Sequence, residues 1–124
     1  PLPLARADAT SKVVSVANMP GALQTGQVVL PSPVGHMLID NDGVERAISV
    51  ILPPLASTDR SASITVTNVS AKSRLIVQAS HMDRMVWNLR RHCSVDVPLN
   101  HGAVTVSPDG TTWSLSVQSP VGLV

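Results

Sequence analysis

Ser80-His81-Met82-Asp83 puts a hydroxyl, an imidazole and a carboxylate within four consecutive residues. Those are the groups of a nucleophile, a base and an orienting acid. Catalytic triads, however, are assembled from separate segments and defined by geometry, and the chain has no G-x-S-x-G elbow. The plain reading is a polar loop. His92 and Cys93 are adjacent, so in a strand they point to opposite faces, and a small buried thiol is the expectation for Cys93. His36, His81, His92, His101 and Cys93 show no C-x-x-C or H-x-x-x-H spacing, so no metal site is expected. Asp40-Asn41-Asp42 before Gly43 gathers oxygen ligands for a hard cation. It lacks the full calcium-loop pattern and reads better as a tight turn. Asn68-Val69-Ser70 matches a glycosylation acceptor, but nothing else indicates secretion.

Arg84, Arg90, Arg91 and His92 lie close together, with Lys72 and Arg74 not far before them. Such a group fits docking onto an acidic protein surface or onto phosphates. It also fits loop charges that do no more than face water. Nucleic-acid binding would want aromatic stacking partners beside the charges. The single nearby ring, Trp87, is expected in the core.

The elements that carry these residues are short. Strands are expected at Lys12 to Asn18, Thr25 to Leu30, His36 to Asp40, Glu45 to Leu52, Ser63 to Asn68 and Arg74 to Ser80. In residues 81–92, Met82, Met85, Val86 and Leu89 fit a helical face, but Val86 and Trp87 also fit a strand, and a loop leading into a strand at Met85 to Leu89 is the preferred reading. Further strands follow at Cys93 to Val97, Ala103 to Ser107 and Thr112 to Gln118. In Ser63 to Asn68, Ile64 and Val66 alternate with Thr65 and Thr67, the pattern of a half-buried strand. Asp42-Gly43 is read as a hairpin turn joining its flanking strands. Asp109-Gly110 is read as a second hairpin turn, after which Trp113, Leu115 and Val117 share one face. Trp113 is expected to cover the sheet end and to gain packing energy if another ring is near. No repeat of fixed period is evident.

Composition agrees with strands. The chain has 124 residues, enough for one domain, and contains no Tyr, no Phe and only two Trp. Its core must therefore come from Val, Ile, Leu and Ala, residues that favour sheets. Ten prolines and seven glycines interrupt long helices. Net charge is +1, and charged residues make up 14% of the chain, so no strongly basic nucleic-acid-binding surface is expected. One cysteine forms no internal disulfide. The longest apolar runs, such as Ile48 to Leu55, are too short to cross a bilayer, so no membrane partner is expected.

Regular turn spacing points to an all-β fold, an antiparallel β-sandwich of jelly-roll type. The expected organisation is an extended arm at 1–11, a sandwich domain at 12–118 and a tail at 119–124. Leu2 and Leu4 of the arm, with Val121 and Leu123 of the tail, have no periodicity that would bury them in a sheet. Each large side chain left in water forgoes about 1.5–3 kcal/mol relative to burial. These four residues, together with Arg6, Arg84, Arg90 and Arg91, are the expected partner-binding positions; ordinary frayed ends are the competing reading. Pro1 fits both removal of an initiator Met and an internal cleavage.

Residues 63 to 118 resemble β-rich virion proteins of tailed bacteriophages. The matching positions are Val66, Asn68, Ile76, Val77, Gly102, Val104, Val106, Asp109, Gly110 and Trp113. "ARADATSKVVSVAN" near the N-terminus is similar to the opening of phage surface modules. The resemblance implies a non-enzymatic capsid decoration, or cement, protein. Such a protein is made in the bacterial cytoplasm and carried on the outer surface of the virion. Its partners would be the major capsid protein and further copies of itself, as a dimer or trimer, without a cofactor. The alternative it implies is the trimeric receptor-binding head of a tail fibre or tail needle. A carbohydrate-binding sandwich would want more exposed aromatic residues than two Trp can supply.

Overall fold

A computed structural model describes residues 11–19, 21–33 and 35–119. The described residues are all-β: they form eleven short strands, with one helical turn, α1 (Ala22–Thr25), as the only α-helix among the described residues. The strands are β1 (Ser11–Ser15), β2 (Gln27–Val29), β3 (His36–Asp40), β4 (Ile48–Ile51), β5 (Ser63–Asn68), β6 (Leu75–Gln78), β7 (Met85–Trp87), β8 (Arg90–His92), β9 (Ser94–Asp96), β10 (Gly102–Asp109) and β11 (Thr112–Gln118).

The strands form two sheets, a seven-stranded one in the order β1-β3-β5-β10-β11-β7-β8 and a four-stranded one in the order β2-β4-β6-β9. Up to β6 the chain visits the sheets alternately, and each strand lies parallel to the one laid down a full circuit before. This is a β-solenoid of three coils. The expected antiparallel jelly roll is thus corrected, while the all-β class stands.

The correction has a local cause. Asp42-Gly43 does not close a hairpin: β3 and β4 belong to different sheets. The Asp40 carboxylate accepts the Asp42 N–H at 3.0 Å, and the Val44 N–H reaches the Asn41 carbonyl at 3.1 Å. Val44 is buried, so the bend turns the chain inward across the core instead of back along β3. Alternating burial reports which face of a strand is covered, and it is the same for parallel and antiparallel neighbours.

Coils two and three repeat with an offset of 27 residues. Met37 lies beside Ile64, Ile39 beside Val66, Ile48 beside Leu75 and Val50 beside Val77. These stacked aliphatic side chains, with Val104, Val106 and Trp113 from the later strands, merge into one buried cluster between the sheets. At the corner after the first strand of each coil, Asn41 and Asn68 stack as well. Both are buried, and the Asn41 side-chain amide donates to the Asn68 carbonyl oxygen at 2.9 Å. Asn41 Oδ1 accepts the Val69 N–H at 2.9 Å, and Asn68 Oδ1 accepts the Ser70 N–H at 3.0 Å. The Asn68 amide also donates to the Ser73 carbonyl at 3.0 Å. Every polar atom of the pair is therefore satisfied inside the core.

The solenoid ends when the chain reverses direction. β9 runs antiparallel to β6, and β10 antiparallel to β5, with β11 folding back on β10 through the Asp109-Gly110 turn. Gly110 is left-handed there, at φ 67°. This second hairpin forms as the sequence pattern predicts, with Trp113 and Leu115 buried and Ser114 and Ser116 outward. Trp113 is wholly buried, deeper than a lid on the sheet end, and no second ring contacts it among the described residues. Several strand ends differ by a few residues from expectation. The first strand stops at Ser15 because Val16–Asn18 tightens into a 3-10 turn, and α1 takes the place of strand before Gln27.

Two outcomes follow. Replacing Asn68 by Leu strands the Asn41 amide and the Ser70 N–H, and denaturant unfolding is expected to show a loss of about 3 kcal/mol; Ser114→Ala, at an exposed outward position of β11, should change stability by less than about 0.5 kcal/mol. Separately, the N–H and then the hydroxyl of Ser61 hold the Asp59 carboxyl below its ordinary value. The folded state therefore favours ionised Asp59. Its contribution is present above the unfolded pKa and is lost as pH falls through the lower folded value. Titration of the Asp59 carboxyl by NMR should show this depression, and Ser61→Ala should reduce it.

Candidate functional site

The sequence motifs that looked chemical are absorbed by the fold. In Ser80–Asp83 the Asp83 N–H bonds the Ser80 carbonyl at 2.8 Å, closing a turn, and the Asp83 carboxylate accepts the Leu55 N–H at 2.8 Å. Asp83 thus ties this turn to the 3-10 turn at Leu55–Ser57, while His81 stands exposed. Cys93 is exposed, against the expectation of a buried thiol, because it falls between β8 and β9 where the chain passes from one sheet to the other. Asn68 is sealed in the core, so its amide is closed to glycosylation. Among the described residues no three His, Cys, Asp or Glu side chains gather closely enough to hold a metal ion. One contact had no sequence signal: His36 Nδ1 meets the Ser63 hydroxyl, and His36 Nε2 lies 3.4 Å from Thr65 Oγ1. Thr65 in turn bonds Thr105 at 2.9 Å. These groups lie on the outward face of the large sheet and bond one another across neighbouring strands.

What remains is the β7–β8 hairpin at the far edge of that sheet. Met85 fixes it from within: it is buried and lies beside Trp113 of β11. Trp87 pairs with Arg90 and closes a two-residue turn at Asn88 and Leu89. Both turn residues are left-handed, with φ of 55° and 64°, as the tight hairpin turn of this hand requires. Trp87 is half-buried against the core, and its ring lies 5.8 Å from that of His92 at a tilt of 48°. Strand was expected to run on to Leu89. The turn went unrecognised because Leu occupies a position where Gly is usual.

The structure divides the expected basic group. Arg84 is half-buried and donates to the backbone carbonyls of Asp83 at 2.8 Å and His81 at 3.4 Å, so it braces the loop that enters β7. Arg90 and Arg91 are exposed on β8. Arg74 grips Asp96 through two bonds of 3.1 and 3.2 Å, the only ion pair among the described residues. Arg74 and Asp96, with Trp87, His92, Pro98 and Val117, line a groove of about 620 Å³. Lys72 lies instead in a neighbouring groove beside Glu45. Leu2, Leu4, Arg6, Val121 and Leu123 lie outside the described residues. Sequence reasoning passed over Leu89, which is 99% exposed at the hairpin tip. The usable signal was the turn-forming Asn88 between two strand-like dipeptides.

The site therefore presents two cationic planar groups and one aliphatic knob on a rigid hairpin, beside a groove walled by Trp87. No family model matches the chain, and no curated protein matches it in sequence.

The division among arginines is testable by denaturant melts. Arg84→Ala should cost about 1 kcal/mol through its lost carbonyl contacts, whereas Arg90→Ala and Arg91→Ala should each stay within about 0.5 kcal/mol of the parent.

Proposed function

We propose that the chain is a non-enzymatic structural virion protein, of the kind that decorates the capsid of a tailed bacteriophage. It docks on the outside of the major capsid shell and braces it. The observation that carries this reading is the β7–β8 hairpin, a stiff projection whose exposed groups suit adhesion to another protein. The solenoid supplies the rigidity such a brace needs, since its coils share one aliphatic core. Low surface charge is in keeping with repeated contact to neighbours, and each contact can be weak because a symmetric lattice multiplies them.

A second reading, the head of a tail fibre or needle, draws support from the ends of the solenoid. Among the described strands, β1 and β2 each stand at an edge of their sheet, whereas antiparallel strands cover β5 and β6 of the third coil. A repeat protein with one covered end suits the tip of a longer stack.

Co-sedimentation with DNA-free shells of the phage that encodes the chain separates the two. The decoration reading expects saturable binding and a higher shell melting temperature, and deletion of residues 1–11 is expected to abolish that binding. Attachment to host cells without shell binding would establish the fibre-head reading instead.

A further inference from the structure

We propose that Leu89 is the anchor of the docking face, seating in an apolar recess of a partner protein whose rim carries carboxylates. This rests on the docking reading above and narrows it to one side chain and one partner chemistry. Leu89 is held at φ 64°, a backbone region that disfavours any residue with a Cβ and that Gly enters freely. A hairpin turn of this hand selects Gly at this position for stability. Leu offers the fold nothing in return, because its side chain is 99% exposed. Strain that brings no packing within the molecule points to a gain outside it.

The knob is also preorganised. The Trp87–Arg90 pair closes the turn directly beneath it, Trp87 packs against the core, and buried Met85 holds the base of the hairpin. A backbone already held in its bound conformation loses little freedom on docking.

Charge selects the partner. Arg90 and Arg91 are consecutive in β8, so they project to opposite faces and flank Leu89 on both sides. Among the described residues neither makes an ion pair, the single one being Arg74–Asp96. Planar guanidinium groups beside a dry contact are best met by carboxylates. A second copy paired edge to edge along β8 would set arginines against arginines, which blunts self-pairing. An anionic membrane would receive one aliphatic side chain with two charges, too little for stable anchorage.

The experiment compares Leu89→Gly, Leu89→Met and the double variant Arg90→Glu/Arg91→Glu with the parent. It measures melting of the free protein, binding to the same DNA-free shells, and binding to vesicles of phosphatidylcholine with phosphatidylglycerol. Leu89→Gly should melt roughly 3–6 °C higher, because the strain is relieved. It should bind shells roughly thirtyfold more weakly, as expected for loss of an anchor. Leu89→Met should bind within about threefold of the parent, because it keeps the apolar reach. The double variant should weaken binding at least about tenfold and reverse its salt dependence. Parent-like shell binding by Leu89→Gly would overturn the anchor while leaving the docking reading intact. A lower melting temperature for Leu89→Gly would overturn the strain argument. Vesicle binding that Leu89→Gly abolishes would replace the protein partner with a lipid one. Shells that do not bind the parent chain would overturn the docking reading and the anchor together.

Discussion

The stacked amides of Asn41 and Asn68 hold the coils in register. Two buried carboxamides at the same corner of successive coils can satisfy one another only if the coils stack parallel and in step. A slip of β5 by one residue would turn Ile64 and Val66 toward water and carry the Asn68 amide away from Asn41, leaving the buried Asn41 amide without its partner. Their remaining atoms bind the backbone of the corner that follows, at Val69, Ser70 and Ser73. Pairing of strands far apart in sequence, shape of the corners and filling of the core thus share one constraint. The solenoid closes beside the same corner. The His101 N–H bonds the Asn68 main-chain carbonyl at 2.7 Å where β10 begins, and Gly102 lies so near Pro98 that an added Cβ would fall 2.5 Å from the Pro98 carbonyl oxygen.

That frame explains how a chain so poor in charged groups keeps an ordered exterior. Inward positions are filled mostly by Val, Ile and Leu, and outward positions on β5, β10 and β11 mostly by Ser and Thr. Hydroxyls on neighbouring strands bond one another, as Thr65 does with Thr105. β-branched and small polar residues both suit a pleated surface, so strand preference is met on both faces. The frame also gives the edge hairpin something stiff to stand on. A left-handed Leu is tolerated at the tip because Met85 and Trp87 root the strand in the same core that the coils build.

How much of this was legible follows from what each signal encodes. Strand positions at Ser63–Asn68 and Thr112–Gln118 were readable, because alternation of apolar and hydroxyl side chains directly records one covered face. The Asp109-Gly110 turn was readable because Asp-Gly is a favoured pair for a tight hairpin turn, with Gly entering the left-handed region freely. Strand direction was not, since Asp42-Gly43 serves a corner as well as a hairpin. The coil repeat was present in the letters, as Ile39/Val66, Val50/Val77 and Asn41/Asn68. It was hidden because conservative aliphatic swaps leave almost no identity beyond the Asn and one Val. At the candidate site, Arg90 and Arg91 were named from charge alone and lie exposed on β8, but the same reasoning swept in Arg84, whose carbonyl partners come from the fold of its own loop. Leu89 was passed over because its left-handed backbone, at φ 64°, goes against the habit of Leu, leaving Asn88 as the one sign of a turn.

The most direct test of the frame is a through-space NMR measurement along β3 and β5. The solenoid predicts parallel-strand Hα-to-amide contacts linking Leu38 with Thr65 and Ile39 with Val66, the same register throughout. Short Hα-to-Hα contacts between the His36–Asp40 and Ile48–Ile51 segments, the mark of an antiparallel hairpin through Asp42-Gly43, would contradict it.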